Sequence, residues 1–404
     1  MQIRYVLAAL RKHRLVTFLI TLQISLSCAV LCNASFLVMQ RIESMRIDSG
    51  IEEPSLALIK IVGYDQQQAP DLNARMVAAL RGVAGVRNVS VVSAVPFGGG
   101  GLRAGVHLDP EQKQSAGVID FYLGDSAAIE SFGLRLISGR MPSKDEYTPL
   151  TQLFPANPPV LITRKLAAKF WPGKDPIGQQ FWVTNTVFRV IGVMEHFSAV
   201  YPSIGADDDP DWTVFVPTAS GAGLDGKYLI RGNPNEMARI VADARKIAQK
   251  TAPNLILDLD ASQSLQDLRA EYFEKSNIML GLLLCLIAGL LGTTALGIIG
   301  LANFWVAQRG KQIGIRRALG ATKGDILRYF QIENFIIVTL GIALGMLFAY
   351  EMNLGLMRYY ELPKLPLVYM PIGAVVLWIL GQLAVLAPAL SASSISPMTA
   401  IKSA

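Results

Sequence analysis

Ser276-Asn-Ile-Met-Leu-Gly-Leu-Leu-Leu-Cys-Leu-Ile-Ala-Gly-Leu-Leu-Gly-Thr-Thr-Ala-Leu-Gly-Ile-Ile-Gly-Leu-Ala-Asn-Phe-Trp-Val-Ala-Gln308 is a run of 33 residues without a single charge. About 20 apolar residues suffice for a helix to cross a bilayer. Three further charge-free stretches flank it: Leu15–Gln40 with 26 residues, Asn334–Tyr350 with 17 and Leu365–Ile401 with 37. The third reaches spanning length if Phe330–Glu333 joins it. One such run could be a buried core helix. Four in one chain have nothing else to bury them, so the sequence predicts four transmembrane helices, one followed by three.

Composition agrees. The 404 residues are 51% hydrophobic and 17% charged, whereas soluble domains carry about a quarter charged residues. This excludes a wholly soluble, disordered or disulfide-stapled chain. Between Gln40 and Lys275 stand 24 Lys/Arg and 27 Asp/Glu, while the rest holds 13 and 4. The basic charge therefore flanks the apolar runs and is not a nucleic-acid footprint, which would lie on the polar domain. Arg4, Arg11, Lys12 and Arg14 precede the first run, and Arg309, Lys311, Arg316, Arg317, Lys323 and Arg328 follow the second. Positive residues stay inside, so both termini and the basic loop are expected in the cytoplasm and the large domain outside. The N-terminal run is too long for a signal-peptide core and is read as a retained span. Cys28, Cys32 and Cys285 all fall inside spans, and Cys28 and Cys32 read as small buried residues rather than a redox pair.

The outer domain reads as α+β. Strands over Leu56–Val62, Val86–Val92, Lys227–Arg231 and Asn254–Asp260, with helices over Asp71–Leu80 and Asn235–Lys250, use strand–helix–strand twice, a split ferredoxin-like pattern. A β-rich insert separates the copies, with strands at Val118–Leu123, Gln180–Val183, Val187–Val193 and Thr213–Val216. The resulting segments are 1–14 cytoplasmic, 15–50 first span and stalk, 51–96 first porter-like half, 97–220 insert, 221–262 second half, 263–306 stalk and second span, 307–329 cytoplasmic, 330–352 third span, 353–369 short outer loop, 370–390 fourth span and 391–404 tail. Val38, Ile42 and Met45 extend the first apolar helix towards Gly50 as a stop. Leu265, Leu268 and Tyr272 extend the second backwards behind a Ser264-x-x-Asp267 capping box. A helix over Leu265–Val306 would be roughly 63 Å long. It either rises outside the membrane as a stalk or breaks at the interface.

Several motifs imitate chemistry. Gly221-x-x-x-x-Gly226-Lys227 resembles a phosphate loop, but Tyr228 replaces its Ser/Thr and a strand follows, not a helix. Gly124-Asp125-Ser126 lacks the glycine and histidine of a nucleophile elbow. His13, His107 and His196 have no metal-ligand spacing, and Asp207–Asp209 reads as a solvated loop. No catalytic, metal or cofactor residue is expected on this chain. The spans lack the charges of an ion path, with Glu333 the one nearby acid; Asn33, Asn303 and Gln382 read as helix contacts.

The segment Gln308–Arg328 is short, basic and amphipathic. Ile315, Ala318 and Leu319 can face a partner, with Arg316 and Arg317 available for carboxylates. Gly320 breaks the helix and Asp325–Leu327 restart it. Read alone, it could equally bind anionic lipid headgroups. Gly314-Ile-Arg-Arg-Ala-Leu-Gly-Ala-x-Lys-x-Asp-Ile-Leu327 resembles the cytoplasmic signature of the FtsX-like, MacB-type ABC transporter permeases. Gly133-Leu-Arg-Leu-Ile-Ser-Gly-Arg140, Val160–Gly178, Phe188–Val193, Ala387-Pro-Ala and Ile395–Ile401 resemble further motifs of that family in the same order.

This resemblance implies a permease dimer on two cytoplasmic ABC ATPase subunits that carry the ATP and Mg²⁺. Gly314, Ile315, Arg316, Arg317, Ala318, Leu319, Gly320, Ala321, Lys323, Asp325 and Ile326 would form the ATPase-coupling helix. The outer domain would expel antibiotics, peptides or lipopeptides by mechanotransmission through a periplasmic adaptor and an outer-membrane channel. Lipoprotein or lipid extraction from the inner membrane, and signalling to a periplasmic cell-wall hydrolase, are the alternatives. MacB itself carries its ATPase on the same chain; here a separate polypeptide is expected, and a related second permease is open. Ser391-Ala-Ser-Ser lacks the family's usual Arg, and Asp145–Pro159 is longer than usual.

Overall fold

The computed structural model describes residues 14–202, 209–360 and 366–393. They divide into a helical unit, from residues up to Ile42 and from Asn277 onward, and a mixed unit, Glu43–Ser276.

Four helices form the helical unit: α1 (Arg14–Met45), α7 (Glu274–Ala318), α8 (Lys323–Tyr360) and α9 (Tyr369–Ser393). Each is long and apolar enough to cross a membrane. In lipid the hydrophobic effect does not hold helices together, so close packing and polar contacts do. Gly341 and Gly345 of α8 supply the close approach: a Cβ would meet Ile24 at 2.6 Å and Cys28 at 2.4 Å. The buried Asn33 donates to the Ala349 carbonyl at 3.1 Å, tying the same two helices. Ser27 and Thr294 share a 2.8 Å hydrogen bond between α1 and α7. Asn334 donates to the Gly381 carbonyl at 2.8 Å and Trp378 to Thr339 at 3.0 Å, joining α8 to α9. Asn33 is thus a helix contact, whereas Asn303 is exposed. The short third run becomes a long helix because α8 extends beyond the charge-free stretch at both ends.

In the mixed unit, β1 (Leu56–Val62), α2 (Ala69–Arg81), β2 (Val86–Val91), β10 (Lys227–Gly232), α5 (Met237–Thr251) and β11 (Ile256–Asp258) carry the two strand–helix–strand copies. They interleave in one antiparallel sheet of order β11-β1-β10-β2. The insert adds a seven-stranded sheet: β3 (Leu102–His107), β4 (Ser115–Gly124), β5 (Leu136–Gly139), β6 (Pro159–Thr163), β7 (Gln180–Val183), β8 (Thr186–Met194) and β9 (Thr213–Pro217), in the order β5-β8-β6-β9-β4-β3-β7. Pairs β4–β9 and β6–β8 are parallel. Helices α3 (Ala128–Phe132) and α4 (Arg164–Phe170) also belong to it. The insert therefore has strands β3, β5 and β6 and two short helices beyond the expected four strands.

Phe121, Phe154, Phe181 and Phe188 pack ring on ring in its core, Phe181 stacked on Phe188 at 5.0 Å. Lys227 ties two loops together, because its ammonium donates to the Ser93 carbonyl at 2.5 Å and the Gly100 carbonyl at 3.3 Å. Burial pushes its pKa down to about 8. Asp125 accepts from the Val91 and Ala127 amides at 2.9 and 3.0 Å, a turn anchor between the two sheets.

The expected helix over Leu265–Val306 is interrupted. Helix α6 (Leu265–Tyr272) stops at Phe273, and α7 starts afresh at Glu274. Leu265 and Leu268 are buried in a core shared with Leu58, Phe97 and Phe197, with Met45 and Tyr272 packed against it. These four expected stalk residues are thus anchored in the mixed unit. Gly50 is no helix stop, since α1 ends at Met45; its φ of +75° lets it lie against His196.

Candidate functional site

The segment expected to form the ATPase-coupling helix comprises the last turns of α7, a turn, and the first turn of α8. Its fold follows from sequence chemistry at each step. The Ala321 amide bonds the Arg316 carbonyl and the Gly320 amide the Arg317 carbonyl, at 3.0 and 3.1 Å. Gly320 is left-handed, with φ of +100°. This is the Schellman ending that glycine at C′ permits. Thr322 then caps α8: its hydroxyl accepts from the Asp325 amide at 3.2 Å, and Asp325 accepts from the Thr322 amide at 3.0 Å. Reciprocal capping satisfies donors that a helix start leaves open.

The elbow has an inside and an outside. Ile313, Gly314 and Ile326 are buried, Ile313 and Ile326 in the core of the helical unit. Ala321 is half-buried. Ile315, Arg316, Ala318, Lys323 and Asp325 are exposed. Leu319 is 83% exposed, the barest large apolar side chain among the described residues. Apolar and cationic groups thus share one projecting turn, suited to a cavity edged with carboxylates.

Below the elbow lies a buried ion pair. Arg309 Nη1 of α7 donates to Glu333 Oε2 and Oε1 of α8 at 2.8 and 3.1 Å, and Glu333 is fully buried. Arg309 also reaches the Tyr329 hydroxyl at 3.4 Å and lies over the Trp305 ring at 5.3 Å. Arg316 stacks over Tyr329 at 5.1 Å. Glu333 stands out in the sequence as the lone acid near a span, but nothing there names Arg309, 24 positions earlier, as its partner.

The stretch after α1 is clamped at a second place, within the mixed unit. Arg269 of α6 donates to Glu53 at 2.7 Å and to the Met45 and Ile47 carbonyls at 2.8 and 2.6 Å. His196 Nδ1 lies 2.7 Å from Asp211 Oδ1, and its Nε2 lies 2.7 Å from the Asp48 carbonyl. Both partners only accept, so both ring nitrogens must carry hydrogen. The Asp211 bond accordingly raises the histidine pKa against the opposing effect of burial, and Asp48 adds to it. A raised histidine stabilises the fold fully below its ordinary value of 6.5, and this contribution fades as pH rises through the folded value. His196→Gln is therefore expected to lower the thermal unfolding midpoint at pH 6 more than at pH 8.5. Equal losses at both pH values would remove the charge from the explanation.

The expected residues thus fall in three places. Gly314–Ile326 meet at the elbow. Val38 is buried and Ile42 half-buried on α1, while Met45, Leu265, Leu268 and Tyr272 serve the mixed core. The C-terminal signature Ile395–Ile401, along with Asp207, Asp208 and His13, lies outside the described residues.

A model of the FtsX-like permease C-terminal region matches residues 284–397, which contain the whole elbow, and a model of the MacB-like periplasmic core domain matches residues 17–271. The probable syringafactin export ATP-binding/permease protein SyfD of Pseudomonas syringae is 31% identical over 189 residues, 44% of this chain and 27% of that protein. The macrolide export ATP-binding/permease protein MacB of Rhodospirillum rubrum is 27% identical over 315 residues, 75% of this chain and 44% of that protein. The chain spans less than half the length of these relatives. The crystal structure of the periplasmic region of MacB from Actinobacillus actinomycetemcomitans aligns over 57% of this chain and 97% of its own, with 11% identity and a TM-score of 0.36.

Proposed function

The chain belongs to the FtsX-like ABC transporter permeases that carry a MacB-like periplasmic core domain, and from this premise we propose that it is the permease subunit of a MacB-type export complex. It works as a dimer, with itself or with a related permease, on two copies of an ABC ATPase that hold ATP and Mg²⁺. Both termini and the elbow face the cytoplasm, and the mixed unit lies in the periplasm, its interleaved sheet a ferredoxin-like porter part. Hydrolysis displaces the elbow, and the helices pass the motion to the mixed unit, which expels amphipathic peptides, lipopeptides or antibiotics towards an adaptor and an outer-membrane channel. The relatives named for syringafactin and macrolide export support this choice of cargo.

The observation that carries the proposal is the elbow. It is capped at both ends, pinned beneath by Arg309–Glu333, and presents Leu319 and Arg316 outward. A motion imposed there is transmitted, because no loose linker absorbs it. Reversing two charges tests it. Arg316→Glu/Arg317→Glu is expected to cut cargo-stimulated ATP hydrolysis of the reconstituted complex at least about tenfold, a barrier change of about 1.4 kcal/mol. Unchanged stimulation would end the docking assignment.

A further inference from the structure

A cavity of about 860 Å³ opens within the mixed unit. This lies in the range of about 300–1,000 Å³ typical of small-ligand sites. Its walls come from the segment after α1, the end of α3 and the approach to β5, the start of α4, the turns after β8 and before β9, and β10. Its charges are almost all spoken for. Arg231 holds Glu52 at 2.6 Å and Arg164 holds Glu195 at 3.3 Å. His196 holds Asp211, and Lys165 holds Asp209 at 3.2 Å. Asp48 offers its carbonyl to His196 and takes the Gly50 amide on its carboxylate at 3.0 Å.

Arg135 is different. It lines the same cavity, it is exposed, and its guanidinium has no ion-pair or hydrogen-bond partner among the described residues. Its backbone carbonyl takes the Glu195 amide at 3.0 Å. That bond fixes the base of the side chain at the cavity wall. Ile51 adds apolar surface beside it, whereas Phe132 behind the same wall is fully buried. A planar guanidinium recognises carboxylates by two parallel hydrogen bonds. Of the neighbouring acids, Glu52, Glu195, Asp209 and Asp211 already face cationic partners, and the Asp48 carboxylate takes the Gly50 amide.

We propose that this cavity is a cargo-binding site for amphipathic peptides with a free carboxylate, which Arg135 receives while the apolar part lies towards Ile51. The proposal deepens the export reading and rests on it for the word cargo. The binding itself needs neither ATP nor an ATPase, so the two fail separately.

The test uses the full chain in lipid nanodiscs without nucleotide, with protein-free nanodiscs as the blank for membrane partition. The probe is dansyl-Leu-Leu-Phe with a free C-terminal carboxylate, followed by fluorescence anisotropy. Saturable binding is expected. It should weaken about tenfold or more, or about 1.4 kcal/mol, either when the probe is C-terminally amidated or in Arg135→Gln. The two changes together should cost little more than one, since both remove the same contact. Arg75→Gln, on α2, which does not line the cavity and where Arg75 pairs with Asp71, should bind as wild type. No saturable binding, equal binding of acid and amide, or full binding by Arg135→Gln would each overturn the site. Loss of coupling in Arg316→Glu/Arg317→Glu with probe binding intact would be the signature of the two-site arrangement; probe binding without any ATPase coupling in the wild type would sink the export reading alone.

Discussion

Replacing Glu333 by Gln is expected to destabilise the helical unit by about 3–5 kcal/mol, because it leaves the Arg309 charge buried without its counter-ion. Arg309 is only 12% exposed, and both carboxylate oxygens lie within hydrogen-bond distance of it. A glutamine retains one acceptor and loses the charge. The same substitution should lower stimulated ATP hydrolysis, since the pair fastens α7 to α8 immediately behind the elbow. Stability and transmission can be separated. Replacing both members of a buried pair by apolar residues is often close to neutral in stability, so Arg309→Met/Glu333→Leu should recover most of the unfolding midpoint. If stimulated hydrolysis recovers with it, the pair serves folding only. If the midpoint recovers and stimulation does not, the ion pair is a positioning element of the coupling. A Glu333→Gln chain as stable as wild type would show that water or lipid headgroups reach Arg309.

What is legible in the residues divides along the kind of interaction. The four spans are legible because absence of charge over some twenty residues is a local property with one physical cause. The elbow is legible too: Gly320 and the Thr322-x-x-Asp325 spacing encode a helix ending and a helix start within six residues. The buried pair is half legible, since Glu333 demands a partner but only the crossing of α7 and α8 selects Arg309. The break at Phe273 is hidden, because Leu265, Leu268, Tyr272 and Met279 keep a helical spacing across it. What overrides the pattern is tertiary: Phe273 turns into a core with Phe97, ring centroids 5.7 Å apart. Strand β6 escapes notice for a similar reason. It pairs with β8 in parallel and β9 antiparallel and is buried on both faces, so Pro159–Thr163 shows no alternation.

The glycine of Gly133-Leu-Arg-Leu-Ile-Ser-Gly139-Arg140 shows the same limit and gives the second large expected effect. Sequence places a glycine there without saying what it permits. In the fold, Gly139 has φ of +83° at the end of β5, and a Cβ would lie 2.3 Å from the Ile191 carbonyl oxygen and 2.6 Å from the Gly192 Cα. These are backbone atoms of β8, which carries β5 on one side and β6 on the other, so they cannot swing aside as a side-chain tip would. Gly139→Ala should therefore cost about 1–2 kcal/mol for the left-handed conformation and about 1–3 more for the overlap. For a unit of this size that is a fall of roughly 5–15 °C in the unfolding midpoint. The matched control is Gly105→Ala on β3, where φ is ordinary and a Cβ meets nothing within 4 Å; it should be neutral or slightly stabilising. The pair also bears on the cavity, because Arg135 is carried into its wall by the chain that enters β5. If Gly139→Ala lowers the midpoint and also weakens the dansyl peptide at temperatures well below unfolding, β5 registration positions Arg135. If the midpoint falls while peptide affinity holds, the Arg135–Glu195 backbone bond alone sets the side chain in place. A midpoint unchanged beside the Gly105 control would mean that β5 shifts along β8 to accommodate the methyl group.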